Sequence, residues 1–174
     1  HEEATLVYSS NETLIGKYFA ENRTNIQWED IPQHLINALI ATEDKRFFSH
    51  QGIDGRSYLR VLVKSILLGD RSSGGGSTIT QQLAKNLYGR NNHGFLSLPV
   101  SKVREAIIAR RMEEVFSKQE IILLYLNSVP FGEEVYGVEA AAERYFAKEA
   151  NELNIGESAV LIGILKANTY YNPR

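Results

Sequence analysis

Two glutamates at the inward edge of helical stripes are the residues of this sequence best placed to do chemistry. Glu43 follows Ile36, Leu39 and Ile40 by seven, four and three residues, spacings that put the four side chains on one helix face. Partial desolvation there, with the negative end of a helix dipole, would disfavour the charged carboxylate and suit a general acid or base working near neutral pH. The plain alternative is a solvated glutamate beside Asp44 at a frayed helix end. Glu105 repeats the pattern, with Ile108, Met112 and Phe116 following on its face and Arg104, Arg111 and Lys118 marking the wet one. Its alternative is a buried ion pair with an arginine. Two inward carboxylates from different helices suit glycosyl chemistry, one activating an attacking oxygen and the other stabilising the sugar or leaving-group region.

A second candidate is the run Gly74-Gly75-Gly76-Ser77-Thr78. Backbone N–H groups at a helix start could meet a phosphate or diphosphate there. Gln81, Gln82, Lys85 and Asn86 follow within two turns and add sugar-binding donors and a cation. No Lys-Ser/Thr pair follows the glycines, so this is not a Walker A loop; a mobile polar loop is the alternative. The histidines, His1, His34, His50 and His93, have no paired spacing, so no dedicated metal site is expected. No serine–histidine combination points to a hydrolase triad.

The elements that must position these residues read as mostly helical. Ala4–Tyr8 and Thr13–Lys17, separated by Ser9-Ser10-Asn11-Glu12, form a small N-terminal hairpin, expected to be the only sheet. Asp30 before Ile31-Pro32 is a plausible N-cap for the helix running into Glu43. The apolar run from Ser57 to Leu68 is too short to cross a bilayer and reads as a core helix or as one lying against a membrane. Ile79, Leu83 and Leu87 mark a helix ended by Gly89. Arg90 to Pro99 reads as a loop and Val103 to Phe116 as a helix. Ser117-Lys118-Gln119-Glu120 has capping-box spacing for the next one, and Asn154 to Glu157 is a weaker start signal for a helix ending near Ala167.

With 174 residues, 43% hydrophobic and 23% charged, the chain can bury one core. Its net charge of −2 excludes the strong basic excess expected of a nucleic-acid binder. The absence of cysteine removes disulfides and thiolate metal sites and is silent on compartment. The expectation is one mainly α domain over residues 1–174, excised from a longer protein whose anchor is missing here.

Taken together, the segments resemble the peptidoglycan glycosyltransferase family, the lipid II polymerases of class A penicillin-binding proteins and monofunctional transglycosylases. The likeness runs through Glu43-Asp44-Lys45-Arg46-Phe47-Phe48-Ser49-His50-Gln51-Gly52-Ile53-Asp54 and Gly75-Gly76-Ser77-Thr78-Ile79-Thr80-Gln81-Gln82-Leu83-Ala84-Lys85-Asn86. It continues in Lys102-Val103-Arg104-Glu105, in Lys118 to Asn127 with Phe131-Gly132 and Tyr136-Gly137, and in Tyr171-Asn172-Pro173.

The resemblance implies a lysozyme-like helical head with a smaller membrane-facing jaw, roughly residues 52–75, which turns the apolar run from a core helix into a membrane-facing one. It implies Glu43 as the base for the acceptor 4-hydroxyl, inversion at the donor carbon and release of undecaprenyl diphosphate, with Glu105 as a second essential carboxylate. Ser77, Gln82, Lys85, Asn86 and Lys102 would line the donor site, and Asp44, Phe47, His50, Thr78 and Arg104 count among the substrate-binding positions. No tightly bound cofactor is implied; a Mg or Mn ion could come with the substrate diphosphate. The implied partners are lipid II, the growing glycan and the membrane surface, without nucleic acid, and a transpeptidase domain could follow. The implied place is the periplasmic face of the inner membrane, with an N-terminal anchoring helix. Two features depart from the pattern: Ser101 stands where a basic residue is usual, with Arg104 one turn on, and the Arg90–Pro99 loop is long. A lytic, lysozyme-like hydrolase would share the inward glutamate without using a diphosphate loop. A non-catalytic binding module for lipid-linked glycan would not need both carboxylates.

Overall fold

The computed structural model describes residues 5–8, 14–18, 22–23, 25–60, 76–89, 97–132 and 135–166. They fall into two compact units, one of residues 1–36 and 126–174 and one of residues 37–125. The chain passes between them within helix α1 (Gln33–Glu43) and again within helix α5 (Lys118–Ser128).

In the first unit, β1 (Thr5–Tyr8) and β2 (Leu14–Tyr18) pair antiparallel, with Thr5 opposite Tyr18 and an irregularity at Val7/Tyr8. A second pair was not expected from the sequence. β3 (Asn22–Arg23) runs parallel to β4 (Val135–Tyr136). Two residues per strand are too few to show a β pattern, and the partners lie more than a hundred residues apart, so no local signal announces them. The Asn127 side chain extends the join: its Oδ1 accepts from the Ile26 N–H at 2.9 Å and its Nδ2 donates to the Ile26 carbonyl at 3.0 Å. Helix α6 (Val138–Phe146) follows Gly137, whose φ of 83° and approach to Asn127, where an added Cβ would lie 3.0 Å from the carbonyl oxygen, favour glycine. Helix α7 (Ile155–Lys166) starts at the expected box, with Asn154 Oδ1 accepting from the Glu157 N–H and Glu157 Oε2 from the Asn154 N–H.

The second unit holds the end of α1, a helical segment α2 beginning at residues 55–60, α3 (Ile79–Tyr88), α4 (Ser97–Val115) and most of α5. Leu39, Phe47, Ile79, Leu83, Ala109, Met112, Ile121, Ile122 and Tyr125 are buried here, and α3 packs on α4. Gly52, at φ +82°, lies so close to α4 that an added Cβ would sit 2.6 Å from the Ala109 carbonyl oxygen. The turn carrying His50 can therefore press onto that helix only without a side chain at position 52.

Two helix starts differ from expectation. Asp30 is not the N-cap of α1: it closes a separate 3-10 turn, Trp28–Asp30, and the N–H groups of Leu35 and Ile36 reach the Pro32 carbonyl instead. Helix α4 begins at Ser97, six residues before Val103. Pro99 misleads in the sequence, because proline is tolerated in a first turn, where N–H groups lack intrahelical partners anyway. The Ser117–Glu120 box does cap α5, with Ser117 N–H to Glu120 Oε2 at 2.7 Å and Glu120 N–H to Ser117 Oγ at 3.3 Å. Residues 61–75 of the expected jaw, residues 90–96 of the expected loop and the Tyr171–Pro173 motif lie outside the described residues. Among the described residues no helix is long and apolar enough to cross a membrane.

Candidate active site

Helix α1 delivers Glu43 at its last position, below buried Leu39 and half-buried Ile40. The carboxylate is half-buried, and its two oxygens differ. Oε2 accepts from Gln82 Nε2 at 2.7 Å, and Gln82 Oε1 in turn accepts from the Tyr125 hydroxyl at 3.0 Å. Oε1 is shielded from solvent yet has no hydrogen-bond partner among the described residues. An oxygen removed from water without a donor has lost its hydration and kept its lone pairs, a costly arrangement that calls for a functional reason. Burial pushes the Tyr125 hydroxyl's pKa up, and the nearby Glu43 charge adds to this. Tyr125 thus stays a neutral donor.

Asp44 turns the other way. Its carboxylate meets His50 Nε2 at 2.9 and 3.1 Å, and its Oδ2 also accepts the Ile79 N–H, the first of α3, at 3.1 Å. Thr78 caps the same helix: its hydroxyl accepts from the Gln81 N–H at 3.2 Å and donates to the Gly52 carbonyl at 2.7 Å, while Gln81 Oε1 accepts the Thr78 N–H at 3.1 Å. At this helix start the N–H groups of Ile79 and Gln81 are taken from within by Asp44 and Thr78, an internal anion and cap. Residues 74 and 75 of the Gly-rich run expected to meet a phosphate lie outside the described residues. Phe47 is fully buried, edge-on to His50 and under the Lys118 ammonium, 4.2 Å from the ring centre. Asp44, Phe47, His50 and Thr78, expected among the binding residues, thus have buried internal partners.

A second cluster gathers at Glu105, only 4% exposed. Lys102 Nζ lies 2.7 Å from Glu105 Oε2 and 3.0 Å from Ser77 Oγ. A cation paired with Glu105 was weighed from sequence as an arginine; a lysine one turn earlier fills such a role. Ser101 is buried, Arg104 and Asn86 are half-buried, and Lys85 is exposed. Among the described residues the side chains of Lys85, Asn86 and Arg104 have no hydrogen-bond or ion-pair partner, which leaves their donors uncommitted. The two clusters hang from one short stretch, Ser77 serving Lys102 and Gln82 serving Glu43.

Lys118, placed on the wet face by the sequence, is half-buried. Its Nζ pairs with Glu113 Oε2 at 2.6 Å and donates to the His50 carbonyl at 2.8 Å, and Glu113 Oε1 accepts from the Thr80 hydroxyl at 2.6 Å. Asp54 braces the same turn. Burial pushes its carboxyl up, but hydrogen bonds from Ser57, the Arg46 guanidinium at 2.8 Å and the Arg56 N–H outweigh this and hold it below the usual carboxylate range. A shallow concavity of about 480 Å³ lined by Phe48, Ser49, His50, Gln51, Ile53 and Arg110 includes neither Glu43 nor Lys102. Among the described residues no three histidine or carboxylate side chains converge to hold a metal ion.

A sequence profile for the family described as Transglycosylase matches residues 11–174. The chain belongs to the transglycosylase family. It is 41% identical over 167 residues to penicillin-binding protein 1F of Bacillus subtilis, covering 96% of this chain and 23% of that protein. Penicillin-binding protein 1A of Haemophilus influenzae is 41% identical over 167 residues, covering 96% of this chain and 19% of that protein. Penicillin-binding protein 1A of Aquifex aeolicus is 41% identical over 171 residues, covering 98% of this chain and 23% of that protein. The chain thus spans about a fifth of the length of these curated relatives.

Membership of this family makes glycosyl transfer the chemistry against which the carboxylates are to be read. The sequence reading missed Tyr125 and Glu113. Tyr125 stands among Ile121, Ile122 and Leu126, and a tyrosine in so apolar a run must find a partner for its hydroxyl, a signal that was available. Glu113 gave none, since it lies among other charged residues of α4.

Proposed function

We propose that this transglycosylase domain polymerises lipid II into β-1,4-linked glycan, with Glu43 as general base. The supporting observation is the asymmetry of its carboxylate: Gln82 holds Oε2, while Oε1, out of water and without a donor among the described residues, is left to take a proton. In this reading the acceptor sugar's 4-hydroxyl gives its proton to Glu43, and its oxygen bonds to the anomeric carbon of the donor from the opposite face. The bond from that carbon to the diphosphate oxygen breaks, and undecaprenyl diphosphate leaves with the electron pair. The configuration inverts, and no covalent enzyme intermediate forms. Lys102, fixed by Ser77 and Glu105, would meet the charge developing on the diphosphate, assisted by the uncommitted Lys85, Asn86 and Arg104. A Mg or Mn ion would enter, if at all, with the diphosphate.

The same proposal extends to the surroundings. The head is lysozyme-like, and a jaw that meets the membrane includes the described residues 52–60, where Leu59 stands 61% exposed. The domain works on the periplasmic face of the inner membrane, tethered by a helix outside this chain, with lipid II and the growing strand as partners and a transpeptidase domain following.

Glu43→Gln in the intact protein keeps shape and removes the base. Gel separation of products from fluorescently labelled lipid II is expected to show polymerisation reduced at least about a hundredfold, the usual worth of a positioned general base. Normal glycan ladders from this variant would overturn the mechanism. Cleavage of preformed glycan by the unaltered protein would favour a hydrolase, and binding without turnover a carrier module.

A further inference from the structure

We infer that Tyr125 is a positioning residue, whose hydroxyl fixes the Gln82 side-chain amide so that its NH2 group, and not its oxygen, faces Glu43. The inference rests on the reading of Glu43 as base and adds a residue to which that reading gave no role. An amide has two nearly isosteric orientations, and each end of Gln82 meets a different partner: Nε2 meets Glu43 Oε2 at 2.7 Å, Oε1 meets the Tyr125 hydroxyl at 3.0 Å. A carboxylate oxygen accepts, so Glu43 Oε2 takes the NH2 end. The Tyr125 hydroxyl then supplies the donor that the oxygen end needs, so the orientation that holds Glu43 leaves neither end of the amide unpaired.

Three features support a role in positioning. Tyr125 is 1% exposed, so its hydroxyl is presented from a buried position and not from solvent. Its hydroxyl stays protonated, because burial and the Glu43 charge both oppose ionisation. Neither Gln82 oxygen nor nitrogen needs the substrate to complete this chain of bonds, so the arrangement stands before substrate arrives.

The test is Tyr125→Phe in the intact protein, which removes one oxygen and preserves the ring. With fluorescent lipid II, kcat is expected to fall about three- to tenfold with KM little changed. Gln82→Met, which removes both ends of the relay, should lower kcat at least as much, and adding Tyr125→Phe to it should cost less than twofold more. A full additional loss in the double variant, or a rise in KM in place of the fall in kcat, overturns the positioning role. Additive losses count against the relay even if Glu43→Gln proves inactive, and an active Glu43→Gln counts against the base itself.

Discussion

The end of α1 and the first turns of α4 each turn a glutamate inward, and the two are treated differently. Glu105 is closed off by an ammonium at 2.7 Å, itself tied to Ser77. Glu43 receives a single neutral amide, and its other oxygen faces no donor among the described residues. A carboxylate already bound to an ammonium has its charge matched in place and serves best by fixing that cation. A carboxylate with a free, dehydrated oxygen is arranged to act on a proton. Burial alone does not separate these roles, since Glu105 is the more buried of the two; the kind and number of donors do.

The comparison can be broken most directly through catalysis. Glu43→Gln is expected to reduce kcat at least about a hundredfold, and Glu105→Gln roughly tenfold, the latter by letting Lys102 drift from its place. Lys102→Met should cost a similar factor, and the pair Glu105→Gln with Lys102→Met little more than either alone, because both disable one cation. Steady-state rates on labelled lipid II would invert the assignment if Glu105→Gln proved the more damaging variant.

Smaller effects concern the frame on the Glu43 side. Lys118→Met leaves Glu113, whose side chain is 4% exposed, without its cation, and should lower stability by about 3 kcal/mol in a denaturant melt. The mildest prediction concerns Asp54, whose folded pKa lies below its ordinary value of 3.8. Its stabilising contribution is complete above that value and is lost as pH falls through the lower folded one. Melting temperatures should accordingly drop more steeply below about pH 4 in the unaltered protein than in Asp54→Asn, and parallel curves would remove Asp54 from the account.

The sequence disclosed what depends on short spacings. The stripe before Glu43, the stop at Gly89 and the boxes at Ser117–Glu120 and Asn154–Glu157 are local rules read over one or two turns, and the structure contains each. What stayed hidden depends on contacts far along the chain. Nothing near Asp44 says that it will receive the Ile79 N–H, and nothing near Tyr125 names Gln82 as its partner. Local rules also misled where they were permissive, as with Pro99 inside the first turn of α4 and Lys118 drawn into the interior. The resemblance carried over residue types, and only the hydrogen bonds divided those with internal duties from those with donors to spare.

The bond from Ile79 to Asp44 joins residues 35 apart and supplies the first turn of α3 with an acceptor that the adjacent chain does not offer. That bond stands beside the local Thr78–Gln81 box, so part of the opening turn of α3 is fixed by a distant segment. A shift of the turn around residues 44–54 would therefore be passed through Asp44 to the start of α3, and from there to Gln82 opposite Glu43.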